Sequence, residues 1–190
     1  MTARIGNLLV AAALCAFGSG CVVRSVHPWL GDETKAADAA LVGAWQDAEH
    51  DQTAFFVKAD GGEFEALFVS NKKDLSRFKV SVHRLEGVLL MMVGPVDREG
   101  IEAVTLLPAH LIYRLELEPD AMRIYGINLD SFDKTLKESG LKSMDGGGKK
   151  DGYVLLSDTA ALAGFLKAHV KDAGFFDQKP MYCFRKISVK

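Results

Sequence analysis

Short apolar segments separated by tight turns are the feature that most restricts how this chain can fold. The clearest pair covers residues 53–59 and 63–70, on either side of Asp-Gly-Gly at 60–62. Asp-Gly between two apolar segments predicts a β-hairpin, because the turn needs positive φ angles that glycine adopts without strain. Phe64 and Phe68 share one side of the second segment, as expected of a strand with one buried face.

Further strand patterns follow along the chain and alternate with turns. They cover residues 77–85, 88–93, 101–107, 110–116, 122–128, 153–156 and 181–189. Residues 143–152 are rich in glycine and charge, which predicts a loop. Successive strands joined by tight turns favour an antiparallel meander, and a meander closes readily into an up-and-down barrel or a strongly curved sheet.

Two segments in the C-terminal half change to helical periodicity. Asn128 or Asp130 is the expected N-cap of the first, and Gly140 is its expected stop. The second is the strongest helix pattern in the chain, with Ser157 or Asp158 as its cap. The sequence therefore predicts a mainly β (α+β) fold: an antiparallel meander forming a barrel or strongly curved sheet, with two helices in the C-terminal half.

The folded body is expected to begin at residues 41–45, Leu-Val-Gly-Ala-Trp, a Leu-x-Gly-x-Trp sequence at the start of a strand. This sequence resembles the first-strand signature of lipocalins and related calycins. The resemblance implies a barrel in which Trp45 closes one end and packs against an arginine from a late strand, here Arg185. Gly43 would let the strand bend into the wall, because glycine has no Cβ. The alternative is a core tryptophan in an unrelated β fold.

The first 21 residues have the order of a secretory signal. Arg4 precedes an apolar run over 5–17, and Gly-Ser-Gly at 18–20 leads directly to Cys21. The run is too short for a spanning helix, which needs ~20 apolar residues. A cysteine after small residues resembles the lipobox of bacterial lipoproteins, in which the thiol is diacylated, the preceding peptide is removed and the new amino terminus is acylated. The alternative is an ordinary signal peptide cut near Cys21.

The residues after the cysteine bear on where such a lipoprotein would reside. Val22 and Val23 follow Cys21, and the aspartate that retains family members in the inner membrane is absent. The resemblance therefore implies the outer membrane, on its periplasmic face, with the acyl chains on Cys21 as the membrane partner. Each buried methylene of such a chain contributes ~0.8 kcal/mol. The expected division is a signal peptide over 1–20, an acylated cysteine and tether over 21–40, and one β-rich domain over 41–190.

Charge and cysteine content limit the classes of partner. Arg4 is the only charged residue before Cys21, so removing the leader changes the net charge from −2 to −3, with 22 basic against 25 acidic side chains. A near-balanced surface argues against nucleic acid as a partner.

Once Cys15 leaves with the leader and Cys21 is acylated, Cys183 has no disulfide partner. We expect Cys183 to be a small buried hydrophobe.

Motifs for enzyme or metal chemistry are largely missing from the sequence. No two of the five histidines lie within five residues of each other, so no local metal motif is present, and no cofactor is expected. No Gly-x-Ser-x-Gly elbow occurs in the mature chain. His110 would be the first candidate in a hydrolase-type enzyme, although a structural role is the preferred interpretation. The sequence thus predicts no catalytic residue and no enzyme.

Aromatic and methionine residues recur on neighbouring predicted strands, either as a solid core or as the lining of an apolar ligand cavity. The candidate ligand-binding residues are Phe56, Phe64, Phe68, Phe78 and Met91. Leu-Pro-Ala-His at 107–110 and a late helix before a final strand resemble features of a set of uncharacterised bacterial lipoproteins. The first hypothesis is a non-enzymatic envelope lipoprotein that binds a small apolar or lipid-like ligand. The second is an envelope protein-protein interaction module with a solid core, and a hydrolase-type enzyme is the third.

Overall fold

A computed structural model describes residues 22–36, 38–47, 49–70, 74–96, 108–145 and 152–188. These residues contain eleven strands and two α-helices. The strands are β1 (Val23–Ser25), β2 (Gly43–Asp47), β3 (Gln52–Lys58), β4 (Glu63–Ser70), β5 (Leu75–Leu85), β6 (Val88–Gly94), β7 (Leu111–Leu117), β8 (Ala121–Tyr125), β9 (Ser143–Asp145), β10 (Tyr153–Leu155) and β11 (Tyr182–Ile187). The helices are α1 (Leu129–Ser139) and α2 (Thr159–His169).

Eight of the strands form a closed antiparallel barrel in the order β2, β3, β4, β5, β6, β7, β8, β11. The last strand closes it by pairing on both sides: Tyr182 lies opposite Ile124 of β8, and Ile187 lies opposite Ala44 of β2. Closure pairs the backbone groups that an open sheet would leave at its edges. The predicted fold class, an antiparallel meander forming a barrel or strongly curved sheet with two helices in the C-terminal half, is confirmed, and the sheet is a closed barrel.

Local signals in the sequence correspond to the observed turns and helix ends. The β3–β4 turn has φ angles of 68° at Gly61 and 76° at Gly62, as the predicted hairpin requires. The Asn128 side chain accepts a hydrogen bond from the Ser131 N–H at 3.1 Å and so caps α1. Asp158 caps α2 in the same way, through the N–H of Ala161 at 2.9 Å.

The side chains that point into the barrel fill it with apolar groups. Strand alternation places one residue in two on this inner face, and several of the largest are almost completely buried. They are Trp45, Phe56, Phe64, Met91, Met122 and Phe184. This first core holds the barrel wall together from within.

A second apolar core covers one side of the barrel from outside. It joins Phe132 of α1, Leu166 of α2 and Leu155 of β10 to barrel residues such as Leu90 and Ile112, whose side chains point outward. The chain builds this side layer between β8 and β11, so the connection leaves and re-enters the barrel at one end. We call this end of the barrel the connection end. The strands that finish there are β2, β4, β6 and β8, and the strands that begin there are β3, β5, β7 and β11.

The stretch predicted as a tether over 21–40 instead packs on the barrel wherever it is described. β1 pairs in parallel with β10, and Ser25 forms a bridge with His110. Trp29 is 0% exposed, and its indole N–H donates to the His110 carbonyl at 3.1 Å. The apolar residues of this stretch follow neither a strand period nor a helical period, and Pro28 interrupts them, so the sequence pattern missed it. We refer to residues 22–36 as the strap.

Two further expectations are wrong, and a third is not tested. Part of the glycine-rich loop predicted at 143–152 is strand β9, because Met144 pairs with Val154 of β10 across the side layer. Cys183 is exposed, since it lies on the outward row of β11, whereas we expected it to be buried. The strand predicted over 101–107 lies outside the described residues.

Substituting Trp29 tests whether the strap belongs to the fold. We expect Trp29→Ala to lower the free energy of unfolding by about 3–5 kcal/mol, because it leaves a cavity in the second core. Urea titration followed by circular dichroism measures this. His27→Ala, at an exposed position of the same strap, should change stability by less than about 0.5 kcal/mol. Equal stability of the two variants would show that the strap is a tether after all.

Candidate functional site

The predicted ligand-binding residues pack against one another inside the barrel. Phe56, Phe64 and Met91 are 1–3% exposed, and Phe68 and Phe78 are partly buried. The ring of Phe68 contacts those of Phe56 and Phe78 edge-on, with centroids 6.0 and 5.8 Å apart. None of the five lines either cavity described below. In this structure they act as core, one of the two interpretations that their pattern allowed.

The residues predicted to close the barrel have different surroundings in the structure. Trp45 is 0% exposed, and its indole N–H donates to the carbonyl of Leu41 at 2.8 Å. Gly43 has φ +131°, a conformation that favours glycine, and a Cβ there would approach the Lys186 side chain to 3.0 Å. The cation over the Trp45 ring is the Lys186 ammonium, 5.0 Å from the ring centroid. Arg185, one residue earlier, is exposed on the outward row of β11.

The candidate site is a cavity of about 390 Å³ at the connection end of the barrel. We call it the end cavity. Its lining comes from the strap, the start of β7, the segment from β8 into α1, and the residues before β11. The lining residues are Val22, Val23, Leu111, Ile112, Tyr113, Gly126, Ile127, Asn128, Leu129, Asp130, Asp177 and Met181. Most of these are apolar, as in typical small-molecule sites.

Hydrogen bonds fix the polar edge of the end cavity. Asn128, besides capping α1, donates from its side-chain amide to the Asp177 carboxylate at 3.0 Å. The backbone N–H of Asp177 donates to the carbonyl of Gly126 at 2.9 Å. A Cβ on Gly126 would lie 3.0 Å from the end of Met181 and 3.4 Å from the Asp177 carboxylate, so a glycine keeps this corner open.

Tyr113 supplies a polar group from the inward row of β7. Its side chain is 8% exposed, and its hydroxyl has no hydrogen-bond partner among the described residues. Burial, and to a lesser degree the neighbouring Tyr182, raises the pKa of Tyr113 above its usual range. The phenol is therefore neutral at physiological pH and can both donate and accept a hydrogen bond.

A buried carboxylate organises the adjacent seam between β2 and β11. Asp47 is 0% exposed and accepts hydrogen bonds from the backbone N–H groups of Glu49, His50 and Cys183 at 2.9–3.1 Å. Burial, assisted by the charge of Asp47, raises the pKa of Tyr182 to about 12. The sequence analysis missed this group, although an aspartate at a strand end before a polar turn is a known signal for side-chain capping.

A second cavity, of about 320 Å³, lies on the outer wall between the strap and strands β5 and β6. His110 borders it, and the buried Nδ1 of this histidine has no hydrogen-bond partner among the described residues. Burial, and secondarily the charge of His27, lowers the pKa of His110. The described residues bring no nucleophile or carboxylate within hydrogen-bond distance of the His110 ring.

His83 lies beneath the same strap and is 0% exposed. Its Nε2 is 2.8 Å from the Ser81 hydroxyl, and its Nδ1 is 2.8 Å from the Thr34 hydroxyl of the strap. Burial, assisted by the charge of Lys35, lowers the pKa of His83 to about 4. The ring is therefore neutral at physiological pH and ties the strap to β5. From the sequence alone, strand alternation predicts a solvent-facing row for His83, together with Arg77, Lys79 and Ser81; this prediction is wrong for His83 because the strap covers it.

Neither metal nor membrane-spanning features accompany these sites. The described residues contain no group of three or more histidine, cysteine, aspartate or glutamate side chains that could hold a metal ion. No helix in the described part of the chain is long and apolar enough to cross a bilayer.

Comparison of the chain with protein-family models, with curated proteins and with solved structures found no match.

The neutral state of His83 predicts how stability depends on pH. The unfolded histidine takes up a proton near pH 6.5, whereas the folded one does so only near pH 4. The free energy of unfolding should be highest above pH 6.5 and should fall by about 3 kcal/mol as the pH drops to 4. Urea titrations across this range measure the effect. His83→Gln should flatten the profile without abolishing it, since His110 contributes in the same direction, and an unchanged profile would contradict the assignment.

Proposed function

We propose that the protein is a lipid-anchored envelope lipoprotein, on the periplasmic face of the outer membrane, that binds a small apolar or lipid-like molecule without chemically changing it. The end cavity is the observation that carries this proposal. Its volume, about 390 Å³, lies within the range typical of small-molecule sites, roughly 300–1,000 Å³. The ligand would therefore sit at the end of the barrel, beside the packed interior.

The position of the cavity supports the link to a membrane anchor. Val22 and Val23 line it directly, and they follow Cys21, the proposed site of acylation. An acylated Cys21 would hold the connection end of the barrel next to the bilayer. An apolar molecule would then pass between membrane and cavity over a short distance, with little exposure to water.

An interaction module is the second candidate, and the uncovered side of the barrel favours it. Large apolar side chains are exposed on this wall, away from the side layer. They are Val42, Val57 and Ile187, which lie close together where β11, β2 and β3 pair at the end opposite the connection end, with exposed fractions of 36–57%. Exposed apolar residues grouped on one surface are typical of protein interfaces. This surface and the end cavity lead to different outcomes in the binding test below.

Filling the end cavity tests ligand binding. Leu129→Trp places an indole into the cavity, and we expect it to weaken binding of the apolar fluorophore N-phenylnaphthylamine by at least about tenfold, because the space for the probe is lost. The acylated protein is titrated in phosphatidylcholine nanodiscs, with empty nanodiscs subtracted. Leu156→Trp, at an exposed position outside the cavity, is the control. Equal affinity for the wild type and both variants, or no binding to any, would favour the interaction module.

Mass spectrometry of the detergent-extracted protein tests the anchor separately. We expect a chain that begins at Cys21 and carries acyl groups, together with location in the membrane fraction. Cys21→Ser should abolish both. Cys183→Ser is the matched control, since Cys183 is a free and exposed thiol that should not be acylated. An intact, unmodified leader on a water-soluble wild-type chain would contradict the proposal.

A further inference from the structure

The charge of the end cavity restricts the head group of its ligand. Among the twelve lining residues, two are acidic, Asp130 and Asp177, and none is basic. The described partner of the Asp177 carboxylate is the neutral amide of Asn128, which leaves the negative charge uncompensated by any described cation. Asp177 is half-buried and Asp130 is exposed, so water screens their charges in part, but with no basic side chain in the lining their net charge still favours a cation over an anion at this edge of the cavity.

The N-terminus of α1 opposes this preference but is the weaker influence. A helix N-terminus carries a partial charge of about +0.5, and α1 begins at the edge of the cavity. Asp130, in the first turn, offsets that partial charge, and the Asn128 cap already occupies the N–H of Ser131. Asp177 remains as a full negative charge, so the lining is negative overall.

Tyr113 adds a hydrogen-bonding group to the acidic lining of the cavity. Its side chain is about nine-tenths buried, and its hydroxyl has no partner in the described part of the chain. Because Tyr113 lines the cavity, its hydroxyl is available for a hydrogen bond to a ligand group there. The Tyr113 hydroxyl can donate or accept, whereas the two carboxylates of the lining only accept. An ammonium group, which has three N–H donors and no acceptor, can bond to all three groups, whereas a ligand carboxylate could bond only to the hydroxyl and would be repelled by the aspartates.

We propose that the end cavity binds a cationic amphiphile, with an alkylammonium head group at Asp177 and Tyr113 and an apolar chain against Ile127 and Leu129, and that it discriminates against fatty acids. This inference rests on the proposed function, because it presupposes that the cavity holds an apolar ligand. It adds the sign of the head-group charge.

Matched amphiphiles test the head group. Decylammonium, decanol and decanoate share one chain and differ in charge, and each is titrated as a competitor of N-phenylnaphthylamine on the acylated protein in phosphatidylcholine nanodiscs. Decylammonium should displace the probe at a concentration at least about tenfold below that of decanoate. Decanoate that competes as well as decylammonium, or better, would overturn the head-group inference while leaving apolar binding intact. Failure of the probe and of all three competitors to bind would instead overturn the proposed function.

Two conservative variants locate the effect. Asp177→Asn should reduce the preference for decylammonium over decanoate by at least about threefold, and the comparison with wild type cancels differences in partitioning into the nanodiscs. Tyr113→Phe should weaken decylammonium and decanol by about fivefold, the loss of one hydrogen bond, while the affinity of the probe is unchanged. Glu138→Gln, on the exposed surface of α1, is the charge control and should change nothing.

The variants remain informative if one of them is unstable. Thermal unfolding of each is recorded first, and an unfolded Asp177→Asn leaves Tyr113→Phe as the deciding variant. A folded Asp177→Asn with an unchanged preference, or a folded Tyr113→Phe with unchanged affinities, would overturn the assignment of the head group to this corner of the cavity.

Discussion

Closure of the barrel by its last strand is the constraint on which the rest of the structure depends. β11 inserts between β2, the first barrel strand, and β8, and it pairs with both. Beyond the last β2–β11 pair, at Gln46, the buried Asp47 carboxylate accepts the backbone N–H of Cys183 and so extends the seam. Without that pairing, two strands would expose unpaired edges.

Closure also explains why a cavity forms at one end. The chain leaves the barrel after Tyr125 and must return to the same end at Tyr182. In between it builds the side layer, whose apolar face packs on the outside of β6 and β7. Two cores that pack independently meet at this end, and the gap between them is lined by both. The strap enters there as well, which brings the residues after Cys21 to the edge of the cavity.

The sequence predicted what depends on neighbours along the chain. The glycine turn between β3 and β4, the caps at Asn128 and Asp158, and the alternation of the barrel strands all follow local rules. Placing the cation over Trp45 required the pairing register of β11, which the sequence does not state, and Lys186 holds the position expected for Arg185.

The end cavity was out of reach of such rules. Its lining comes from four separate segments that meet only after the barrel has closed, and no one segment has a distinctive pattern. The aromatic residues that looked like a ligand site are the ones that local alternation reveals, and they fill the barrel. His83 was misplaced for a related reason: the strap that buries it is more than forty residues away in sequence. Contacts that cross the fold therefore decide the site, while local patterns decide its scaffold.

The most direct test of the account is a crystal structure of the acylated protein, purified from its own membrane in a mild detergent. The account predicts elongated electron density in the end cavity, with its apolar part against Ile127 and Leu129 and its polar end beside Asp177. A cavity filled with water or closed by its own side chains, with any bound lipid located elsewhere on the protein, would contradict it.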